Sequence, residues 1–234
     1  MCIRFVYRGR DLITGFNFDI DPAQWDHRIL QREDCFSIGI LRPDGRRHSY
    51  HGVNRNGNVG TLLYVHGNPA GAYRAEEGCM TVADLTEAFV LGQLTWEGAL
   101  EVLQAKRITY APDATMQAML SDKSGRTLLV EPGLGFREER GRFSLLANGS
   151  LLEPESTRPF ALPGDDRYER AAQRLASFGQ AFTVADALET LEGVRQEGIW
   201  ATRVSFVYSA GEQAVYFVQN NRFDQVERFA FPAL

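Results

Sequence analysis

The second residue of the chain, Cys2, combines two groups that can act together in catalysis. Removal of the initiator Met1 before so small a residue would leave Cys2 with a free α-amine next to its thiol. The α-amine of a model peptide has a pKa of about 7.7–8.0, so it can accept a proton close to neutral pH. A thiol is the strongest nucleophile among ordinary side chains at that pH. Cys2 therefore predicts an N-terminal nucleophile with its own base; the alternative is an apolar residue that begins a strand by chance.

Two polar residues follow Cys2 in a predicted β-hairpin. Turn residues at 9–11 separate the β-rich segments 2–8 and 12–18, so the second strand returns beside the N-terminus. Asp19 then lies where it could hold or orient the amine, and Asn17 where it could donate hydrogen bonds to the amine or to a substrate. The alternative for Asp19 is an acid that only ends the strand.

The other residue types that carry chemistry in proteins are sparse in this chain. The sequence contains no P-loop, no GxGxxG motif, no HExxH and no GxSxG. The cysteines are odd in number and lack CxxC spacing, which argues against a disulfide framework and a zinc site, and the histidines lack the i, i+4 spacing of metal ligands. We therefore expect neither a metal nor a cofactor. The cysteines are Cys2, Cys35 and Cys79, and the histidines are His27, His48, His51 and His66.

The composition excludes several classes of protein. Of the 234 residues, 44% are apolar and 24% charged, which is typical of one large globular domain and excludes collagen, coiled coil and extended disorder. The 25 basic and 30 acidic residues give a net charge of −5, which does not favour binding to nucleic acid or anionic lipid. No apolar segment of membrane-spanning or signal-peptide type occurs. We expect a cytoplasmic protein without nucleic-acid or membrane partners.

The hydrophobic pattern alternates between blocks of strands and pairs of helices. Two Thr-Val-Ala-Asp boxes, at 81–84 and 183–186, each predict a capped helix N-terminus. The order along the chain is strands, two helices, strands, two helices and strands. This order indicates an antiparallel α+β protein with two stacked sheets between helix layers. The predicted strands are 2–8, 12–18, 35–41, 47–53, 61–65, 115–120, 127–130, 135–138, 142–147, 202–209 and 213–219; the predicted helices are 82–91, 95–105, 165–178 and 183–196.

Several short motifs together resemble the choloylglycine hydrolase and penicillin V acylase family of N-terminal-nucleophile hydrolases. The motifs are spread over most of the chain. Each is short, and only Met-Cys followed by a hairpin is specific to the family. The motifs are Met1-Cys2, Gly15-Phe-Asn-Phe-Asp-Ile20, Gly52-Val-Asn54 with Gly57, the segment Ser121 to Glu131, Leu145-Leu-Ala-Asn148, and the closing hairpin from Tyr208 to Phe217.

The resemblance implies a fold, an activity and a set of roles. The fold would be an αββα sandwich formed by one domain, residues 1–234, whose mature chain begins at Cys2. The activity would be hydrolysis of a linear, non-peptide amide C–N bond. By the same resemblance Cys2 is the nucleophile, Asp19 orients its amine, Asn148 donates a side-chain N–H to the oxyanion, and Tyr64 lies beside the oxyanion site.

The chain also departs from the family pattern. Phe16 stands where the family has an arginine, so a guanidinium expected near the thiolate is missing from that strand. A second family arginine corresponds to Arg167, for which the alternative is a solvated residue in the first turn of a helix, paired with nearby acids. The chain is shorter than bile salt hydrolases usually are, so neither bile salts nor penicillin V can be assumed as substrates.

The sequence thus predicts an amidase that acts on a small-molecule N-acyl amide through a thioester. We expect Phe16, Asn17 and Phe18 to contact the substrate, with Trp25 nearby; plain core residues are the alternative for the aromatic side chains. Three other functions stay open: an acyltransferase on the same fold, a non-catalytic binding protein, and a redox-sensing thiol protein. A homo-oligomer is also open, because nothing in the sequence identifies a self-complementary surface.

Overall fold

The computed structural model describes residues 2–232 of the chain. Fifteen strands and five α-helices are present in this range, together with short 3₁₀ turns. The strands are β1 (Ile3–Arg8), β2 (Leu12–Asp19), β3 (His27–Gln31), β4 (Cys35–Leu41), β5 (Arg47–Asn54), β6 (Val59–Tyr64), β7 (Cys79–Thr81), β8 (Arg107–Thr109), β9 (Met116–Ser121), β10 (Thr127–Glu131), β11 (Gly135–Glu139), β12 (Phe143–Leu146), β13 (Thr202–Ser209), β14 (Ala214–Gln219) and β15 (Glu227–Ala230). The helices are α1 (Val82–Val90), α2 (Trp96–Ala105), α3 (Pro154–Thr157), α4 (Arg167–Ser177) and α5 (Val184–Gly193).

Two large sheets form the centre of the protein. The first has six strands in the order β12-β1-β2-β13-β14-β15, and the second has seven in the order β11-β10-β9-β6-β5-β4-β3. Neighbouring strands pair antiparallel in both, and β7 and β8 form a separate short parallel pair. Helices α4 and α5 pack on the outer face of the six-stranded sheet, and α1 packs on the seven-stranded sheet beside α2. This arrangement confirms the predicted α+β sandwich with four αββα layers.

The alternation of side chains along β1 determines which way Cys2 faces. Ile3, Phe5 and Tyr7 lie in the apolar cluster between the six-stranded sheet and helices α4 and α5. Cys2 and Val6 lie in the larger cluster between the two sheets. Because successive side chains of a strand point to opposite faces, the thiol of Cys2 is directed into the space between the sheets.

The close packing of β1 against β2 depends on Gly15. Phe5 of β1 lies directly opposite Gly15 in the antiparallel register, and a Cβ at Gly15 would overlap the Phe5 ring. A glycine is therefore required at the first position of the segment Gly15–Ile20, because any side chain there would push β1 away from β2.

Most predicted elements are present within a few residues of their predicted ends. Thr81 and Thr183 accept hydrogen bonds from the backbone N–H of Asp84 and Asp186, so both predicted caps are confirmed. Helix α1 ends at Val90, two residues before Gly92, whose φ of +73° is a conformation that favours glycine. The sequence analysis missed β3, β7, β8 and β15, and helix α3 lies in a segment predicted as a loop. These strands are three to five residues long at sheet edges, too short to show a clear alternation.

Candidate active site

The thiol of Cys2 lies against the end of the neighbouring strand. The backbone N–H of Asp19 donates to the Cys2 Sγ at 3.5 Å, and the thiol donates to the Asp19 carbonyl oxygen at 3.8 Å. The β1–β2 register, with Ile3 opposite Asn17, brings these residues together. Burial raises the pKa of the Cys2 thiol to about 11. The thiol is therefore protonated at neutral pH and needs a base before it can act as a nucleophile.

The carboxylate of Asp19 is held by two residues that are distant in sequence. Arg167, the first residue of α4, donates from Nη1 to Asp19 at 2.8 Å, and the Thr202 hydroxyl donates to the other carboxylate oxygen at 2.6 Å. Asp165 accepts two further bonds from the same guanidinium, each of 2.8 Å. Burial raises the pKa of the Asp19 carboxyl to about 7, while Arg167 and Thr202 favour its ionised form. Arg167 is thus buried beside Asp19 and not solvated; its part in catalysis stays a prediction.

The side chain of Asn148 is fixed near the end of β6. Its Nδ2 donates to the backbone carbonyl of Tyr64 at 2.7 Å, and Tyr64 is itself half exposed. Gln117 of β9 holds the backbone on both sides of Asn148, because its Nε2 donates to the carbonyls of Ala147 at 2.9 Å and Gly149 at 3.0 Å. The sequence analysis missed Gln117, which no local motif indicates. An amide held in this way is an N–H donor of fixed position.

A large cavity opens beside Cys2. Its volume is about 850 Å³, and Cys2 and Asp19 both contribute to its lining. Most of the remaining lining is apolar and aromatic and includes Phe18 and Trp25. We call this space the first cavity; its composition suits an apolar chain or ring system.

A second cavity, of about 300 Å³, adjoins the first. Asn148 and Arg167 contribute to its lining, and Tyr64 and Leu162 line both cavities. The predicted nucleophile and its acid thus face the first cavity, whereas the predicted oxyanion donor and the buried arginine face the second. A substrate placed across the junction of the two cavities would lie between these groups.

The three residues predicted to contact a substrate are not all at the cavities. Phe18 lines the first cavity, whereas Phe16 is fully buried between the two sheets. Asn17 is fully buried on the opposite face of β2, where it donates to the carbonyl of Leu191 at 2.9 Å and accepts from the Ser205 hydroxyl at 2.7 Å. The prediction for Asn17 is therefore corrected: the alternation of β2 directs it towards helix α5, where it joins the sheet to the helix.

A buried arginine lies opposite Phe16, the position at which the expected guanidinium is missing. Arg4 pairs with Phe16 across β1 and β2, is fully buried, and donates from Nη2 to the Ser121 hydroxyl of the other sheet at 2.8 Å. Burial lowers the pKa of Arg4 to about 9. A guanidinium is thus present near the position of Phe16, but it is directed towards the opposite sheet.

His51 is a buried histidine of the first cavity that the sequence did not single out. Its ring stacks on Phe16 with 5.3 Å between ring centroids, and its Nδ1 accepts the backbone N–H of Leu62 at 3.2 Å. Burial, with the positive charge of Arg42 nearby, lowers the pKa of His51 to about 3. The ring is therefore neutral at physiological pH and accepts a hydrogen bond from the backbone.

This pKa shift predicts a specific loss of stability in acid. Between pH 6.5 and about 3 the unfolded chain binds a proton at His51 that the folded protein does not, so stability falls as the pH falls. From pH 7 to pH 5 His51 alone contributes a loss of about 2 kcal/mol, which is read as the difference between the native protein and a variant without the His51 titration. Urea unfolding at both pH values measures it. His51→Asn keeps an acceptor without the titration, so it should lose correspondingly less; equal losses in the two proteins would contradict the assignment.

Neither a metal-binding cluster nor a membrane-spanning helix occurs among the described residues. Between residues 2 and 232, the side chains of His, Cys, Asp and Glu form no group of three or more that could hold a metal ion. Within the same range, every helix is too short or too polar to cross a membrane.

Similarity to known proteins is found in structure and not in sequence. No family model and no curated protein sequence matches the chain. A conjugated bile acid hydrolase from Clostridium perfringens superposes with a TM-score of 0.73 at 13% identity, covering 98% of this chain and 92% of that one. Penicillin V acylase from Agrobacterium tumefaciens gives 0.67 at 18% identity, with coverages of 94% and 83%.

A third solved structure extends this similarity. The Caenorhabditis elegans orthologue of N-acylethanolamine-hydrolyzing acid amidase gives a TM-score of 0.62 at 16% identity, covering 99% of this chain and all of the other. Coverage of this order shows that the chain shares the whole N-terminal-nucleophile hydrolase fold, which confirms the predicted fold.

Proposed function

We propose that the chain is an N-terminal cysteine amidase that hydrolyses a linear, non-peptide amide bond of a small molecule. One observation carries the proposal: Cys2 lines an apolar cavity together with Asp19, and this cavity shares Tyr64 and Leu162 with the cavity that Asn148 lines. Among residues 2–232, no other cysteine lines either cavity. The names of the structural neighbours, two hydrolases or amidases and an acylase, agree with such an activity.

The proposed reaction begins with the free α-amine of Cys2, which exists once Met1 has been removed. The amine takes the thiol proton, and the sulfur attacks the carbonyl carbon of the amide. The resulting ammonium then gives that proton to the leaving nitrogen, the C–N bond breaks, and the acyl group remains on the sulfur as a thioester. The amine next removes a proton from water, which attacks the thioester. The carboxylic acid leaves, and the thiol recovers its proton.

The surrounding residues support this reaction through charge and position. The Asn148 amide would donate to the oxyanion that forms at the attacked carbonyl, a contact worth about 3 kcal/mol when the donor is fixed in advance. The Asp19 carboxylate would accept a hydrogen bond from the ammonium form of the amine. Because Arg167 and Thr202 hold Asp19 on both oxygens, its position would not change as charge develops.

The two cavities suggest how the substrate is oriented. The first cavity is the larger and more apolar one, so the acyl group would occupy it. The amine would leave through the second cavity, which contains the more polar lining with Asp165, Arg167 and Glu169. The attacked carbonyl would lie at the junction, within reach of Cys2.

The proposal is tested by intact-mass measurement followed by an assay on a panel of N-acyl amides. Met1 lies outside the described residues, so its removal is a prediction that mass spectrometry decides directly. We expect a mass that lacks one methionine and release of the free amine from at least one amide in the panel. Products measured with and without an added amine acceptor separate hydrolysis from acyl transfer. A protein that keeps Met1 in full, or that lacks Met1 and releases no amine from any apolar amide, would contradict the proposal.

A further inference from the structure

One wall of the first cavity contains an ion pair between a buried arginine and a partly exposed aspartate. Arg42, which follows β4, forms an ion pair with Asp113 and donates from Nη1 to the Tyr50 hydroxyl at 2.9 Å. Its guanidinium also lies 4.8 Å from the ring centroid of Trp25. The Arg42 side chain is 7% exposed and that of Asp113 is 24% exposed. The guanidinium is thus fixed on three sides by charge, hydrogen bonding and ring contact.

A further cavity lies behind this wall. It has a volume of about 380 Å³ and is lined on its far side by polar residues that include Asp44 and His48. It shares six lining residues with the first cavity, namely Arg42, Tyr50, Tyr73, Ala111, Pro112 and Asp113. We call this space the outer cavity. The ion pair and its neighbours therefore lie at the boundary that the outer cavity shares with the first cavity, and we call this boundary the partition.

The chemistry of the partition makes it a firm barrier to an apolar chain. Arg42 and Asp113 neutralise each other, so the pair offers no net charge to attract an ionic group from the cavity. Separating the pair would leave a buried guanidinium without its carboxylate, which is strongly unfavourable. An acyl chain that reaches this wall therefore ends there, because a further methylene group would have to break the pair.

We propose that the Arg42–Asp113 pair ends the acyl cavity and sets the longest acyl chain that the protein accepts. The inference rests on the proposed function where the longest accepted acyl chain is measured by amide hydrolysis. The length of chain that fits between Cys2 and the ion pair can also be measured without catalysis, from the binding of straight-chain carboxylic acids. The two proposals can therefore fail separately.

Three variants test the partition. The alanine pair, Arg42→Ala with Asp113→Ala, is designed to remove the partition and join the two cavities. The Met/Leu pair, Arg42→Met with Asp113→Leu, replaces the ion pair with apolar side chains that still fill the wall. Asp44→Ala is the matched control, since it removes an ion pair with His48 beside the outer cavity and leaves the partition intact. Each variant is compared with the native protein in kcat/KM for straight-chain N-acyl amides of increasing length. Straight-chain carboxylic acids are titrated calorimetrically into the same set in a Cys2→Ala background.

The expected result is a break in the length profile of the native protein and a shift of that break in the alanine pair alone. Beyond the break each added methylene should cost roughly tenfold, and the alanine pair should recover about that factor at the first excluded length. The Met/Leu pair and Asp44→Ala should keep the native break. If the alanine pair does not fold, Asp113→Ala alone should shift the break in the same direction, because Asp113 is the more exposed partner.

Two results would overturn the inference. One is an unchanged break in the alanine pair, measured by carboxylic-acid binding. The other is a shift in the Met/Leu pair as large as that in the alanine pair, since a closed apolar partition should still stop the chain. If the native protein binds carboxylic acids with a clear length limit but hydrolyses no amide, the proposed function fails and the partition stands.

Discussion

Replacing Cys2 with serine is expected to lower kcat/KM for amide hydrolysis by roughly 10⁴-fold, because the thiol is exchanged for a much poorer nucleophile. A serine hydroxyl has nearly the same size but a much higher pKa than a thiol, so the α-amine cannot deprotonate it to a comparable degree. The structure adds a reason for a large effect: burial already raises the pKa of the thiol to about 11, which leaves little margin for a weaker acid.

The same experiment contains its own control. Cys79 is partly exposed and lines neither the first nor the second cavity, so Cys79→Ser should leave kcat/KM unchanged within about twofold. Intact mass after mixing with substrate should show an acyl adduct on the native protein that hydroxylamine removes, and no adduct on Cys2→Ser. A Cys2→Ser protein that keeps a tenth of native activity would show that hydrolysis does not depend on the thiol and would contradict the proposed thioester route.

Replacing Asp19 with asparagine is expected to affect both activity and stability. The change removes the negative charge and one of the two oxygens that accept from Arg167 at 2.8 Å and Thr202 at 2.6 Å, and it leaves Asp165 as the charged partner of the buried guanidinium among these residues. Breaking one side of a buried ion pair costs roughly 3 kcal/mol, and the bonds to Asp165 favour the lower end of the usual range. If Asp19 orients the amine, kcat should fall by a further 10²–10⁴-fold, roughly the contribution of general acid–base catalysis.

Two variants separate the structural part of this effect from the catalytic part. Asp166→Asn is the matched control, because Asp166 precedes α4 beside Arg167 but pairs with Arg170 at the surface; we expect no change in kcat or in unfolding by urea. Thr202→Val keeps the carboxylate but removes two hydrogen bonds, the one donated to Asp19 and the one accepted from the Gln196 backbone N–H at 2.8 Å, so it should lower stability by about 2 kcal/mol with a small change in kcat. An Asp19→Asn protein with the expected loss of stability but a kcat within threefold of native would show that Asp19 acts in the fold alone.

Comparison of particular elements shows what can be predicted from sequence. The hairpin of β1 and β2 could be predicted because its turn residues and alternation are local, and the two Thr-Val-Ala-Asp caps because a cap involves residues three apart. The parallel pair β7 and β8 could not be predicted, since each strand has three residues and its pairing depends on a partner far along the chain. Helix α3 was missed for a related reason, as one turn has no periodicity of its own.

The orientation of Asn17 shows a second limit. Strict alternation predicts that Asn17 faces away from Phe16 and Phe18, but β2 is buried on both faces. The sequence could not show which face of β2 looks towards the other sheet and which towards α5. Packing of the layers decides that, because it depends on the total apolar surface that each element buries.

The sequence by itself determined the identity of the proposed nucleophile, its nearness to Asp19 and the α+β order of elements, since these follow from adjacent residues and short periodic patterns. Only the tertiary structure brought Arg167 to Asp19 across 148 residues, Asn148 to Tyr64 across 84, and Asp113 to Arg42 across 71. Such contacts form when the sheets and helices stack, and their geometry reflects the free energy of the whole packed core. No local pattern records that sum, so Asp19, the proposed oxyanion donor Asn148 and the wall of the cavity reach their positions only in the folded protein.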